Sequence, residues 1–294
     1  MASKQKLLAM GGLLAGAIFW GVVWHPYRML QETGVSGELS SLVTYLVALL
    51  LGLIFLSRSL REARKAPLIL IGIGLAAGWA NLAYVLAVLN GEVMRVLLLF
   101  YLAPLWTVIF ARLLLDERPN LQGYMVIVLS LAGAIVMLWD VRAGWPLPAN
   151  RAEWLGLSAG FTFALANVLT RRAHEIGIRL KAIVVWLGVS LLALVPLIAQ
   201  PAKFEAIQHI SFSTWQVLIL IGAAIFAVTL AVQYGLTHTP ANQAIVIFLF
   251  ELVVAAISSY YLANEVLSAK EWVGGVMIIA ASLFSGELDK ERHG

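Results

Sequence analysis

The chain has 294 residues, of which 61% are hydrophobic and 12% charged, with a mean hydropathy of +0.90; soluble domains carry about 25% charged residues, so a water-soluble globule is excluded. A net charge of +4 and a pI near 9.4 would suit nucleic acid only if the basic residues clustered on one folded surface, and here they lie between apolar runs. The chain has no cysteine, which removes disulfides and thiolate metal sites.

A spanning helix needs about 20 mainly apolar residues. The first such run, Leu7 to Leu30, follows Lys4 and Lys6; it is too long for a signal peptide and shows no small-x-small cleavage site, so it reads as a retained span. It carries Trp20 and Trp24, either interfacial belt residues or cavity walls, with Trp20 the deeper. A second run covers Leu39 to Leu56. The third, Leu68 to Leu89, puts Gly74, Ala77, Asn81, Tyr84 and Val88 on one helical face. The fourth, Val93 to Leu115, holds Tyr101 beside Pro104, a residue that bends a helix and frees carbonyls, and so marks a cavity wall, a hinge or an ordinary kink. The fifth runs from Leu121 to Trp139.

A Gly- and Pro-bearing connection, Asp140 to Glu153, divides the chain into halves at 1–145 and 146–294. Beyond it lie Trp154 to Ala173, with Gly156, Gly160, Phe163, Asn167 and Thr170 on one face, and then Ala182 to Ala199. Next come Trp215 to Leu236, with Gly222, Phe226, Thr229 and Gln233 aligned, and Ala241 to Leu262, with Ala244, Phe248, Glu251, Ala255 and Ser258 aligned. Trp272 to Phe284 is the tenth. Trp139, Trp145, Trp154, Trp215 and Trp272 fall at span ends, where indoles anchor at the membrane interface.

With the N-terminus in the cytoplasm, fourteen of the 20 Lys and Arg residues fall in inner segments, which places both termini inside. The segment beginning at Tyr101 resembles the one beginning at Leu249, an interval of 148 that aligns Glu117 with Glu265, and the Gly12/Gly16 pair resembles Gly156/Gly160. Five spans per half is an odd number, so the second half enters the membrane inverted, as in many secondary transporters. The fold expected is therefore an all-α polytopic membrane protein of ten transmembrane helices, in two inverted five-helix repeats around a central cavity.

No Walker-type loop, H-E-x-x-H or filter loop occurs, which argues against ATP-driven transport within the chain, metal-based hydrolysis and a channel. The aligned small, polar and aromatic residues either pack helices and bond them together or line a cavity shared by both halves. Glu251 faces the bundle interior or water, because an acid at a helix centre costs on the order of 2.5–3.5 kcal/mol against lipid. It could hold a substrate ammonium, carry a coupling proton or bond one helix to another; the matching position in the first half is Ala103.

The "FWG" of the first span, the segment "YLAPLWTVIFARLLLDERPNLQGYMVIVLSLAGAIVM" and its weaker second-half copy resemble the EamA-repeat branch of the drug/metabolite transporter superfamily. "AYVLAVLNGEVMRVLLLFYLAPLWTVIFA" resembles most the YddG-type bacterial exporters of aromatic amino acids. The resemblance implies a basket of helices lined by the third, fourth, eighth and ninth spans, the first and sixth beside them and the fifth and tenth outside. It also implies an inner-membrane exporter of amino acids, aromatic and other neutral ones, working by alternating access without a cofactor. Tyr84, Tyr101 and Phe163 would then be aromatic substrate contacts. Ala103 stands where the aromatic exporters carry Trp, which favours a broader range. The full set of expected substrate-binding residues is Trp20, Asn81, Tyr84, Tyr101, Phe163, Asn167, Phe226, Gln233, Phe248 and Glu251, with Pro104 the expected hinge. Efflux of organic cations or another metabolite fits the same acid and rings. The partners expected are a small-molecule substrate and the lipid bilayer, with no nucleic acid, and a monomer suffices.

Overall fold

The computed structural model describes residues 2–56, 66–116, 121–139, 147–238, 247–248 and 250–288, and every regular element among them is helical. The first expected span is two helices, α1 (Ala2–Val22) and α2 (Trp24–Glu32). Then follow α3 (Gly37–Leu56) and α4 (Pro67–Asn90). The fourth span is divided into α5 (Val93–Phe100) and α6 (Ala103–Leu115), and α7 (Leu121–Leu138) closes the first half. The second half holds α8 (Arg151–Arg172), α9 (Ile178–Ala199), a short α10 (Pro201–Glu205), α11 (Phe212–His238), α12 (Phe250–Ala263) and α13 (Ala269–Leu288).

Seven stretches among the described residues are long and apolar enough to cross a bilayer: Gln5–Glu32, Gly37–Phe55, Pro67–Asn90, Val93–Leu115, Arg151–Arg172, Ile178–Ala199 and Phe212–Gly235. Tyr124–Met137 and Phe250–Ala263 are shorter apolar helices. The first part of the expected ninth span, the boundary near 145, Trp145 and Glu117 all lie outside the described residues. The seventh span begins earlier than its apolar run, because Lys181 need not face lipid: its Nζ donates to Thr170 O at the end of α8 (3.0 Å). Such a contact lets a charged head leave the apolar zone.

The two halves interlock. Helix α4 packs on α8 and α9, α3 on α9 and α11, α1 on α11 and α12, α5 and α6 on α8, and α7 on α13. Exchanging the halves maps these pairings onto one another: the third span against the sixth becomes the eighth against the first. Without a hydrophobic driving force in lipid, close backbone approach decides such contacts. The α7–α13 crossing shows it, since a Cβ on Gly133 would lie 2.8 Å from Gly274 O, and one on Gly274 2.6 Å from Gly133 O. The main core gathers α2, α3, α4, α5 and α9 around fully buried Trp24, Tyr27, Tyr45 and Trp186.

Candidate functional site

The division of the fourth span follows from Pro104 in the first turn of α6. Proline has no N–H to donate to the carbonyl four residues back, which is Phe100 O. The ladder shortens there: Tyr101 N–H still bonds Leu97 O (2.8 Å), while Leu102 N–H turns to Leu99 O (3.3 Å). Phe100 O instead abuts Gly160 of α8, where any Cβ would collide with it. Thus the expected bend is a complete helix break, and glycine opposite it lets α8 close in.

Around this break runs a continuous set of rings. Trp20 meets Tyr84 edge-on (6.3 Å between centroids), Tyr84 meets Phe100 (5.7 Å), and Phe100 meets both Tyr101 (5.9 Å) and Phe163 (5.1 Å). These spacings lie in the favourable range for aromatic pairs. Phe100 is the hub, yet it sits inside "LLLF", a run with no period to distinguish it. Tyr84 is buried, and its hydroxyl donates to Trp20 O (3.3 Å).

At the far side of the break, the Tyr101 hydroxyl lies 3.1 Å from Phe248 O and 3.0 Å from Glu251 Oε2. Glu251, in the first turn of α12, is only 8% exposed and pairs with no Lys or Arg among the described residues. A phenol has one proton to donate, so the carbonyl and the carboxylate compete for it. The shortfall is one hydrogen.

The other expected site residues divide. Phe248 supplies its carbonyl to Tyr101, and its ring lies near Gly16 on α1. Asn81 is spent within the bundle: its Oδ1 accepts from Tyr45 (2.8 Å) and its Nδ2 donates to Ala77 O (2.7 Å). Phe226 stacks with Trp186 (5.5 Å) and Phe55 (6.1 Å), not with the ring set. Asn167 is exposed and Gln233 half-buried. Trp24 is neither belt residue nor cavity wall; it is 1% exposed, and its indole donates to Ser258 Oγ (3.0 Å) and Gly21 O (3.2 Å). A fully buried indole N–H needs such partners. Trp139, Trp154 and Trp272 are exposed at their helix ends, as expected of belt residues.

Sequence reasoning read the charges near span ends only as topology signals, and the structure joins several of them. Arg28 donates to Val88 O (2.9 Å) and Gly91 O (2.6 Å), pairs with Glu265 (3.4 Å) and stacks over Trp24. Arg95 pairs with Glu153 and Glu271, and Lys203 with Glu38 (2.8 Å). The Arg95 Nε is 2.8 Å from Glu153 Oε1 but has its N–H aimed off the carboxylate, an ion pair without a hydrogen bond. A cleft of about 450 Å³ lies at this end, lined by Leu89, Asn90, Gly91, Glu92, Arg95, Asn150 and Glu153, and not around Glu251.

The profile of the EamA-like transporter family matches residues 7–139 and again 150–286. An uncharacterized transporter of Archaeoglobus fulgidus is 25% identical over 252 residues, 85% of this chain and 88% of that one. The protein RarD of Salmonella typhimurium is 24% identical over 178 residues, 58% of each chain. A solved crystal structure superposes with a TM-score of 0.58 over 98% of this chain and 99% of that one at 16% identity, a likeness of fold.

Proposed function

The chain belongs to the EamA-like transporter family, and from this premise we propose that it exports amino acids, aromatic and other neutral ones, by alternating access. In this reading ten spans form two inverted five-helix repeats around the ring set, in a bacterial inner membrane with both termini in the cytoplasm. The exchange of helix pairings between halves supports the inverted arrangement.

The observation that carries the substrate class is the Tyr101–Glu251 contact beside the rings. An amino acid brings an ammonium with three N–H donors, and Glu251 is a buried acid with no cation of its own among the described residues. An incoming N–H supplies the hydrogen that the phenol cannot give twice, and an unpaired charge in so dry a place is costly until it is met. Trp20, Tyr84, Phe100, Tyr101 and Phe163 offer faces and edges to an aromatic or apolar side chain. Asn167 and Gln233 stand on lining helices where a carboxylate partner is required. A proton on Glu251 would close the same shortfall, with Glu251 donating to Tyr101 and Tyr101 to Phe248 O, so substrate and proton compete for one place.

The test is flux of labelled amino acids in proteoliposomes. Saturable flux that falls in Glu251→Gln supports the reading, and background flux for a panel of neutral and aromatic amino acids overturns it. An organic cation is the second reading, favoured by the same acid and rings; flux of a quaternary ammonium without amino-acid flux would replace the first.

A further inference from the structure

The ion pairs around Arg28 and Arg95 join the first half to the second above the ring set. Arg95 is on α5, five residues before Phe100, or about 7.5 Å along the helix. Its guanidinium bridges two helix starts. Glu153 caps α8, with Asn150 Oδ1 accepting from Glu153 N (3.0 Å) and Glu153 Oε2 accepting from Ala149 N (2.8 Å). Glu271 does the same for α13, its Oε2 accepting from Ser268 N (2.8 Å). The second is a capping box, the first reaches one residue further back, and in each the other oxygen, Oε1, turns to Arg95.

Two of the three acids therefore keep a partner if the arginines leave. Glu153 and Glu271 remain bonded to their own helix starts, while Glu265, whose Oε2 accepts from Met94 N of α5 (3.3 Å), is 15% exposed and meets water as it leaves. Arg28 keeps Val88 O and Gly91 O. Both arginine side chains are 24% exposed, and the cleft beside Arg95 gives water a route to its guanidinium. Opening this end leaves Glu153 and Glu271 hydrogen-bonded, whereas the glycine crossings elsewhere pack backbone against backbone. The layer is also tied to the acid below. Glu251 and Ser258 share a face of α12; Ser258 accepts from Trp24 and donates to Gly21 O (2.9 Å), and Arg28 lies 4.8 Å over the Trp24 ring. The sequence repeats the pair once: Arg172 follows Arg28 by the interval separating Gly12/Gly16 from Gly156/Gly160, and Glu117 precedes Glu265 by the 148 of the repeat.

We propose that Arg28–Glu265 and Arg95–Glu153/Glu271 form a releasable latch that closes one end of the central cavity and opens when the second-half segments that carry Glu153, Glu265 and Glu271 move relative to α2 and α5. This rests on the transport reading, but the latch can be tested without a substrate. In a chain with no cysteine, Tyr84→Cys is a clean reporter of access to the ring set. An impermeant maleimide is added on the side where Arg28 lies. The combined Glu265→Gln and Arg95→Gln variant should raise its labelling by at least about threefold, a population shift toward the open state. The charge exchange Arg28→Glu with Glu265→Arg, in the same reporter, should return labelling toward the parent. In a separate chain, Arg28→Cys with Glu265→Cys bridged by a short bis-maleimide should stop amino-acid flux that the unbridged chain retains. Unchanged labelling at parental abundance, or undiminished flux after bridging, overturns the latch. Labelling that responds in the reporter, when the parent chain with Tyr84 intact shows no amino-acid flux, supports the latch and sinks the amino-acid reading alone.

Discussion

The fourth and ninth spans hold equivalent places in the two repeats, with Ala103 matching Glu251 at the interval of 148. One carries the rings Phe100 and Tyr101 at its break; the other, described from Phe250 to Ala263, carries the acid. The Tyr101 phenol joins them. The repeat thus supplies the scaffold twice and the chemistry once: the rings Phe100 and Tyr101 from one side, the acid from the other.

Glu251→Gln attacks that asymmetry most directly. Hydrogen bonds to charged groups are worth about 1.5–3 kcal/mol, so transport at limiting substrate should fall by about tenfold or more, measured as initial flux in proteoliposomes. If Glu251 holds the ammonium, affinity weakens while a proton gradient still acts on the residual flux; if it carries the proton, exchange persists and the gradient response is lost. Adding Ala103→Glu to this variant should restore nothing, because the Tyr101 hydroxyl reaches α12 and not its own helix; recovery would mean that the two spans are interchangeable.

Gly160→Val tests the other side of the comparison. The branched side chain must displace the Phe100 carbonyl, and overpacking of this kind costs about 1–3 kcal/mol; a drop in melting temperature in detergent should accompany lost flux, and unchanged stability would show that α8 can back away. Tyr101→Phe removes one hydroxyl and keeps the ring, so at about 0.5–1.5 kcal/mol flux should fall between twofold and tenfold with abundance unchanged. The smallest effect is expected of Pro104→Ala. The restored N–H points toward a carbonyl already pressed on Gly160, so stability should change by less than about 1 kcal/mol, and only a slower turnover at unchanged affinity would identify the break as a hinge.

Most of this centre was legible in the sequence because its signals are local. Pro104 announces a disturbed helix four residues after Phe100, and an acid in "FLFELVV" has few places to go in a membrane. Tyr84 follows from helical spacing, Tyr101 from its place beside Pro104, and both from the family resemblance. What escaped depends on partners distant in the chain. Arg28 and Glu265 are 237 residues apart and Arg95 and Glu271 176 apart, and no periodicity links them, so they read as loop charges. Asn81 and Phe226 were assigned to the cavity by face alone, but a helix face in a bundle this interlocked meets several neighbours; Tyr45 claims one and Trp186 the other. Trp24 reads from sequence as a belt residue or a cavity wall, whereas Ser258 of the opposite half draws it into the core.

The α7–α13 crossing bears on how the chain is made. Gly133 is buried against the backbone of Gly274, so although α7 also packs on α5 and α6, its glycine contact has no partner until nearly all of the second half has left the ribosome. During that interval a helix with a bare glycine strip waits in the bilayer, open to any other small-residue surface. Assembly of this transporter is therefore completed from its far end: α13 arrives late and decides whether the waiting helix is captured by its own chain.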